Sequence, residues 1–201
     1  PSNEKVQSDL IPQGDFYREL AKRCATSGVS INIVATPSSS IDVATLHDLT
    51  KATSGRCCVY PKFSFDAHLR RLTQETVKFL LLPTAYDCVA KVRCGSGLQN
   101  DLNFGHFTIS DAGDMIFAAL SSEQTFATTI IYDSKMNENE RVSFQLAVLY
   151  VNSEGQPRIR IHNMCLSCTS DITAVFRNAD LDALVNLQAK QSIKLNYCLS
   201  V

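Results

Sequence analysis

The feature that most constrains this chain is a change of hydrophobic period near residue 86. Before it, apolar residues recur every three or four positions between short continuous apolar runs; after it they alternate. A helical period and a two-residue period cannot serve the same kind of layer, so the chain divides into two architectures. In the first, Asp15 is placed to cap a helix through Phe16, Leu20 and Cys24 that stops at Gly28. Residues 31–35 read as a buried strand closed by Pro37 and three serines. Asp42 is placed to cap a second helix through Val43, Leu46 and Leu49, ending before Gly55. Cys57-Cys58-Val59-Tyr60 is a short strand stopped by Pro61. Asp66 is expected to open a third helix with Leu69, Leu72, Thr76 and Phe79 on one face, and Pro83 ends that apolar run. The order helix–strand–helix–strand–helix is that of a parallel sheet covered on both faces. Two such strands do not make a complete sheet, because strands this apolar belong inside larger ones. The expectation is a piece of a larger protein, cut inside or beside an α/β domain.

In the second part, strands are expected over 89–94, 104–109, 115–120, 125–132, 141–151 and 158–164. Val142, Phe144, Leu146, Val148 and Tyr150 share one face of the fifth. Asn152-Ser153-Glu154-Gly155 is a turn, so the fifth and sixth strands should form a hairpin. Six such strands joined by polar turns imply an antiparallel sandwich or barrel. After Thr169 the helical period returns, with Asp171 and Asp180 placed as caps. The fold class is α+β: an α/β segment over 1–82, the antiparallel sandwich over 83–168, and short helices over 169–201.

Composition narrows the function classes. There are 19 Lys+Arg against 20 Asp+Glu, a net charge of −1, which gives no basic footprint for nucleic acid. The small excess of base before residue 83 and of acid after it describes solvated faces. No apolar run approaches the roughly 20 residues that span a bilayer. The N-terminal stretch Pro1–Gly14 is polar and of mixed charge, unlike a secretion signal. With no Asn-x-Ser/Thr acceptor either, the eight cysteines are expected as reduced thiols of a cytosolic protein.

Chemistry-bearing motifs are sparse. Cys165-x-x-Cys168 is the one CxxC, without a second Cys or His pair to complete a zinc site. A redox CxxC normally opens a helix, so the pair is expected as packed thiols. His47, His68, His106 and His162 sit in different elements, with no metal-ligand spacing. Gly95-Ser96-Gly97 lacks a third glycine at Asn100 and reads as a strand-end loop. Two polar strand faces are more informative. Lys91 and Arg93 leave the same face of one strand about 7 Å apart, a spacing that suits two carboxylates of an extended ligand. Arg158, Arg160 and His162 form a similar row, with Ile159 and Ile161 expected to point inward. Leu98, in the glycine loop beyond Arg93, is an apolar rim for a carboxylate pocket.

Five segments then resemble a known family in order and spacing. Asp15-Phe16-Tyr17-Arg18-Glu19-Leu20-Ala21 resembles the DFYKKLA segment of the COPII inner-coat cargo adaptor, the Sec-twenty-four family. Tyr60-Pro61-Lys62-Phe63 agrees with it, as does Lys91-Val92-Arg93-Cys94 followed by Gly97-Leu98. So do residues 144–150, FQLAVLY, and residues 158–162, RIRIH. The resemblance spans residues 11 to 195. The partner subunit of the same coat is less similar, particularly around Phe144 to Tyr150. The resemblance implies the C-terminal part of a von Willebrand A-like trunk over 1–82, the main β-sandwich over 83–168, and the start of a helical domain over 169–201. The family's zinc finger, the front of its trunk and its gelsolin-like domain have no counterpart in this sequence, so neither metal nor cofactor is expected.

The family has no enzymatic activity of its own. The resemblance implies a cytoplasmic protein, peripheral on the endoplasmic reticulum membrane, that binds sorting signals in the cytoplasmic tails of membrane cargo. It also implies pairing with the other inner-coat subunit through the trunk, and no nucleic acid. The family's pocket for acidic signals uses an Arg-x-Arg-x-x-x-Gly-Leu segment, and the matching positions here are Lys91, Arg93 and Leu98. Lys91 stands where the pattern has Arg, which keeps the charge and loses the planar fork. The alternatives are the partner subunit or another trunk-domain scaffold and, from another class, a thiol-dependent enzyme using Cys165 or Cys168.

Overall fold

The structure, a computed structural model, describes residues 12–138 and 140–199. Residues 1–11 of the polar N-terminal stretch therefore lie outside the described residues. The first part is α1 (Phe16–Thr26), β1 (Ile33–Ala35), α2 (Val43–Ala52), β2 (Cys57–Val59) and α3 (Phe65–Leu81). The two strands pair in parallel, Ile33 with Cys57 and Ala35 with Val59, as the alternation of elements requires. Asp42 caps α2 by accepting from the Thr45 amide at 3.0 Å. Two expected caps differ. Asp15 makes no side-chain cap and instead ion-pairs with Arg18 at 3.3 Å. Ser64, not Asp66, is the N-cap of α3, because its extended backbone (φ −131°) lets its hydroxyl reach the Ala67 amide. Asp66 lies in the first turn, where the helix dipole favours a carboxylate.

This part buries Ala21, Ala25, Leu49 and Tyr60, but α3 buries no residue and leaves Phe65, Leu80 and Leu81 more than 70% exposed. Its two-stranded sheet is likewise half open, so residues 12–82 do not close a core of their own. Gly55 has a steric reason to be there: a Cβ would lie 1.8 Å from the Ile31 carbonyl oxygen as the chain re-enters the sheet.

From residue 84 the chain forms β3 (Thr84–Cys94), β4 (Leu98–Phe104), β5 (Thr108–Ile109), β6 (Met115–Ser121), β7 (Ala127–Tyr132), β8 (Arg141–Val151) and β9 (Pro157–Ser167). One antiparallel sheet has the order β5-β6-β3-β8-β9, and β4 pairs with β7 in a second. The strand expected over 104–109 is broken. Gly105 takes φ +152° where a Cβ would meet Phe107 at 2.8 Å, so the chain leaves β4 and enters the short β5. The segment read as a glycine loop contributes only the turn, since Leu98 is already the first residue of β4. The β8–β9 hairpin forms as expected, closed at Asn152 and Gly155.

The core lies on one face of the larger sheet. Cys88 and Ala90 of β3, Met115 and Phe117 of β6, and Val148 of β8 are almost completely buried there. Phe117 packs between the rings of Phe107 (5.3 Å) and Phe126 (5.7 Å). The first part meets this sandwich through specific polar contacts. Thr108 donates to the Ala52 carbonyl at 2.9 Å, and Glu123 takes both Arg56 (3.1 Å) and Lys78 (2.8 Å). Two helices follow, α4 (Ile172–Asn178), capped by Asp171 on the Thr173 amide, and α5 (Leu181–Leu199), where Asp180 accepts from the Ala183 amide. Lys190 of α5 donates to the Thr125 hydroxyl at 3.0 Å.

Candidate functional site

Strand register decides what the face opposite the core carries. Val89 aligns with Leu149, Lys91 with Ala147 and Arg93 with Gln145; on β9, Ile159, Ile161 and Asn163 face Leu149, Ala147 and Gln145. Alternation then places Lys91, Arg93, Gln145 and Asn163 on one outer face. Ile159 (68% exposed) and Ile161 (54% exposed) stand on that face too. Their expected inward orientation is corrected: the register puts Arg158, Arg160 and His162 on the core side, opposite Tyr150, Val148 and Leu146. There, β9 runs at the sheet edge and is exposed throughout.

Arg93, Cys94 and Gly95, with residues 143–145 and 163–165, line a depression of about 440 Å³ across β3, β8 and β9. Within it the Arg93 guanidinium donates to the Gln145 side-chain oxygen at 3.0 Å, and the Gln145 amide nitrogen donates to the Asn163 oxygen at 3.0 Å. Lys91 is not part of that lining. Its ammonium lies 2.7 Å from an oxygen of Asp114, the residue just before β6. Asp114 was invisible as a partner from sequence, being 23 positions away in a turn. Leu98 lines a different groove, of about 600 Å³, with Ile130, Tyr132, Val142 and Phe144 on the core side of β8. The three sequence-derived residues are thus divided. Arg93 and Lys91 share the outer face, and Leu98 opens on the groove reached around the Gly95–Gly97 turn.

Four of the thiols, Cys57, Cys58, Cys88 and Cys94, point away from nucleophilic chemistry. A reactive cysteine needs a lowered pKa. Burial instead pushes Cys57, Cys58 and Cys94 up, and Cys88 up to about 12. Cys165 lies within β9, on the face opposite His162, and Cys168 contacts the Met136 sulfur at 4.0 Å. The CxxC therefore sits at a strand end, with α4 beginning only at Ile172. No group of three or more His, Cys, Asp or Glu among the described residues could hold a metal ion.

The class that the fold defines is an α/β segment joined to an antiparallel sandwich, with Lys91 and Arg93 together on one outer face of the larger sheet. The sequence profile of the Sec23/Sec24 trunk domain matches residues 2–80, and that of the Sec23/Sec24 beta-sandwich domain matches residues 85–169. The chain belongs to the Sec23/Sec24 family. It is 30% identical to human protein transport protein Sec24C over 94% of its own length, and 28% identical to Arabidopsis thaliana SEC24 A over 95%. It superposes on the crystal structure of the human COPII-coat protein Sec24c with a TM-score of 0.90 at 29% identity, over 96% of this chain and 26% of that one. The chain spans 17% of the length of human Sec24C and 18% of the Arabidopsis protein.

Proposed function

We propose that this chain is the trunk-to-sandwich portion of a COPII coat adaptor that binds acidic sorting signals of membrane cargo. The observation that carries the reading is Arg93: an exposed guanidinium on the outer sheet face, lining a depression, with one neutral hydrogen-bond partner and no carboxylate in contact among the described residues. A guanidinium placed in this way holds a ligand carboxylate by two parallel hydrogen bonds. Lys91 adds charge beside it when a ligand carboxylate competes with Asp114. An apolar residue of the same signal, passing around the Gly95–Gly97 turn, meets Leu98. Residues 1–82 act as the C-terminal part of the trunk that pairs with the other inner-coat subunit. Residues 83–168 act as the sandwich, and 169–201 as the start of a helical domain. The work is binding, not catalysis, and takes place on the cytoplasmic face of the endoplasmic reticulum membrane. No helix among the described residues is long and apolar enough to cross a membrane, so contact with it would be peripheral.

The test is titration of a labelled peptide carrying two spaced acidic residues. Replacing Lys91→Ala with Arg93→Ala should weaken binding at least about tenfold, the worth of one lost charge-assisted contact. Unchanged affinity in a folded double variant overturns the assignment.

A further inference from the structure

The row from Arg93 to Asn163 has a polarity that follows from chemistry alone. Arginine carries N–H donors and no acceptor. The end of Gln145 facing Arg93 must therefore be its oxygen, which turns the Gln145 amide nitrogen toward β9. The end of Asn163 facing Gln145 must then be its own oxygen, as the 3.0 Å contact has it. The amide orientation, ordinarily ambiguous, is set by the one member that cannot accept. Each side-chain carbonyl is engaged by the neighbour on its β3 side, and the Asn163 Nδ2 group is left at the outer end. The depression is thus edged by donors at both ends, and neither amide can flip without opposing a donor to a donor.

We propose that Asn163 is the second carboxylate contact of the acidic-signal site, that Gln145 is the positioning residue orienting it, and that the signal runs across β3, β8 and β9 and not along β3. The inference rests on the acidic-signal reading above and deepens it. Lys91 already has a carboxylate at 2.7 Å, whereas the Asn163 amide has an acceptor neither from β8 nor elsewhere in the described hydrogen bonding. Two strand spacings separate Arg93 from Asn163, about 10 Å. That separation matches acidic side chains three apart in a polyproline II peptide, where they stand on one side about 9 Å apart, better than the roughly 7 Å of a two-residue spacing along a strand.

The experiment uses the intact chain and two fluorescein-labelled peptides, one Asp-x-x-Asp and one with the second Asp replaced by Asn. Asn163→Ala should weaken the two-acid peptide about tenfold and leave the one-acid peptide unchanged. Asn163→Asp, which puts a carboxylate where the donor stood, should weaken it further. Gln145→Ala should cost the same selectivity for the second acid while thermal melting confirms an intact fold. If Arg93→Ala abolishes binding but both Asn163 variants bind normally, the row is not the site and the acidic-signal reading survives. Equal losses with both peptides make Asn163 merely structural and also overturn the proposal. If Arg93→Ala itself changes nothing, the underlying reading fails.

Discussion

Asp114 is the residue whose removal should strengthen the protein's proposed activity. Its carboxylate lies 2.7 Å from the Lys91 ammonium, with 23% of the Asp114 side chain and 45% of the Lys91 side chain exposed. The turn that carries it is held by backbone groups: the Ser110 amide donates to the Asp114 carbonyl at 2.9 Å, and the Asp114 amide donates to the Ser110 hydroxyl at 3.0 Å. Asp114→Asn therefore keeps the turn and deletes one negative charge. The Asp114 oxygen that meets Lys91 is buried, and Asn keeps its shape while leaving no buried charge unpaired, because Lys91 is 45% exposed; the fold should survive. The released charge then acts on a carboxylate held at Arg93, about 7 Å away along the strand. Coulomb's law in water gives about 0.6 kcal/mol at that distance, a two- to threefold gain in affinity. The assay is titration of a two-acid peptide by fluorescence anisotropy at about 0.01 M and about 1 M salt, where the screening lengths are about 30 Å and 3 Å. The gain should be present at low salt and absent at high salt. Equal affinity for Asp114→Asn and the parent chain at low salt would refute the idea that Asp114 restrains Lys91.

Two further outcomes test the fold around the site. Gly55→Ala forces a Cβ to 1.8 Å from the Ile31 carbonyl oxygen; backbone has to move, and urea unfolding should show a loss of about 3 kcal/mol or more. The contact between trunk and sandwich should weaken in acid. His47 of α2 and His106, in the β4–β5 connection, lie with ring centroids 5.6 Å apart. Both hold pKa values below the ordinary histidine value, His47 by desolvation and then Lys51, opposed by Asp48, and His106 by desolvation and then His47, with Lys51 and Lys190 also facing it and a Gly55 backbone contact opposing. A histidine whose folded pKa is depressed takes up its proton more readily when unfolded, so stability is full above about pH 6.5 and falls as the pH drops below it. Thermal melting from pH 7.5 to 5 should show that decline, and His106→Asn should flatten it.

Much of this architecture was legible locally. The helices at 43–52 and 172–178 follow from capping residues and a 3.6-residue period, the helix at 16–26 from the period without its expected Asp15 cap, and the long β8 strand from Val142, Phe144, Leu146, Val148 and Tyr150 on one face. The Asp66 cap failed because two polar residues two positions apart, Ser64 and Asp66, compete for one role and the backbone angle decides between them. Strand 104–109 failed because a single Gly105 in the left-handed region divides it.

By itself the sequence determined where the period changes, which residues alternate on each strand, and hence that Lys91 and Arg93 emerge together. Those are relations between residues a few positions apart, carried by backbone geometry. Only the tertiary structure decided that β9 shows Ile159 and Ile161 to solvent, that Leu98 faces the other side of the sheet, that Asp114 occupies Lys91, and that Arg93, Gln145 and Asn163 form one row. These relations depend on which strands pair and in what register. The choice is made between segments tens of residues apart, by closing loops around the shared core of Cys88, Ala90, Met115, Phe117 and Val148.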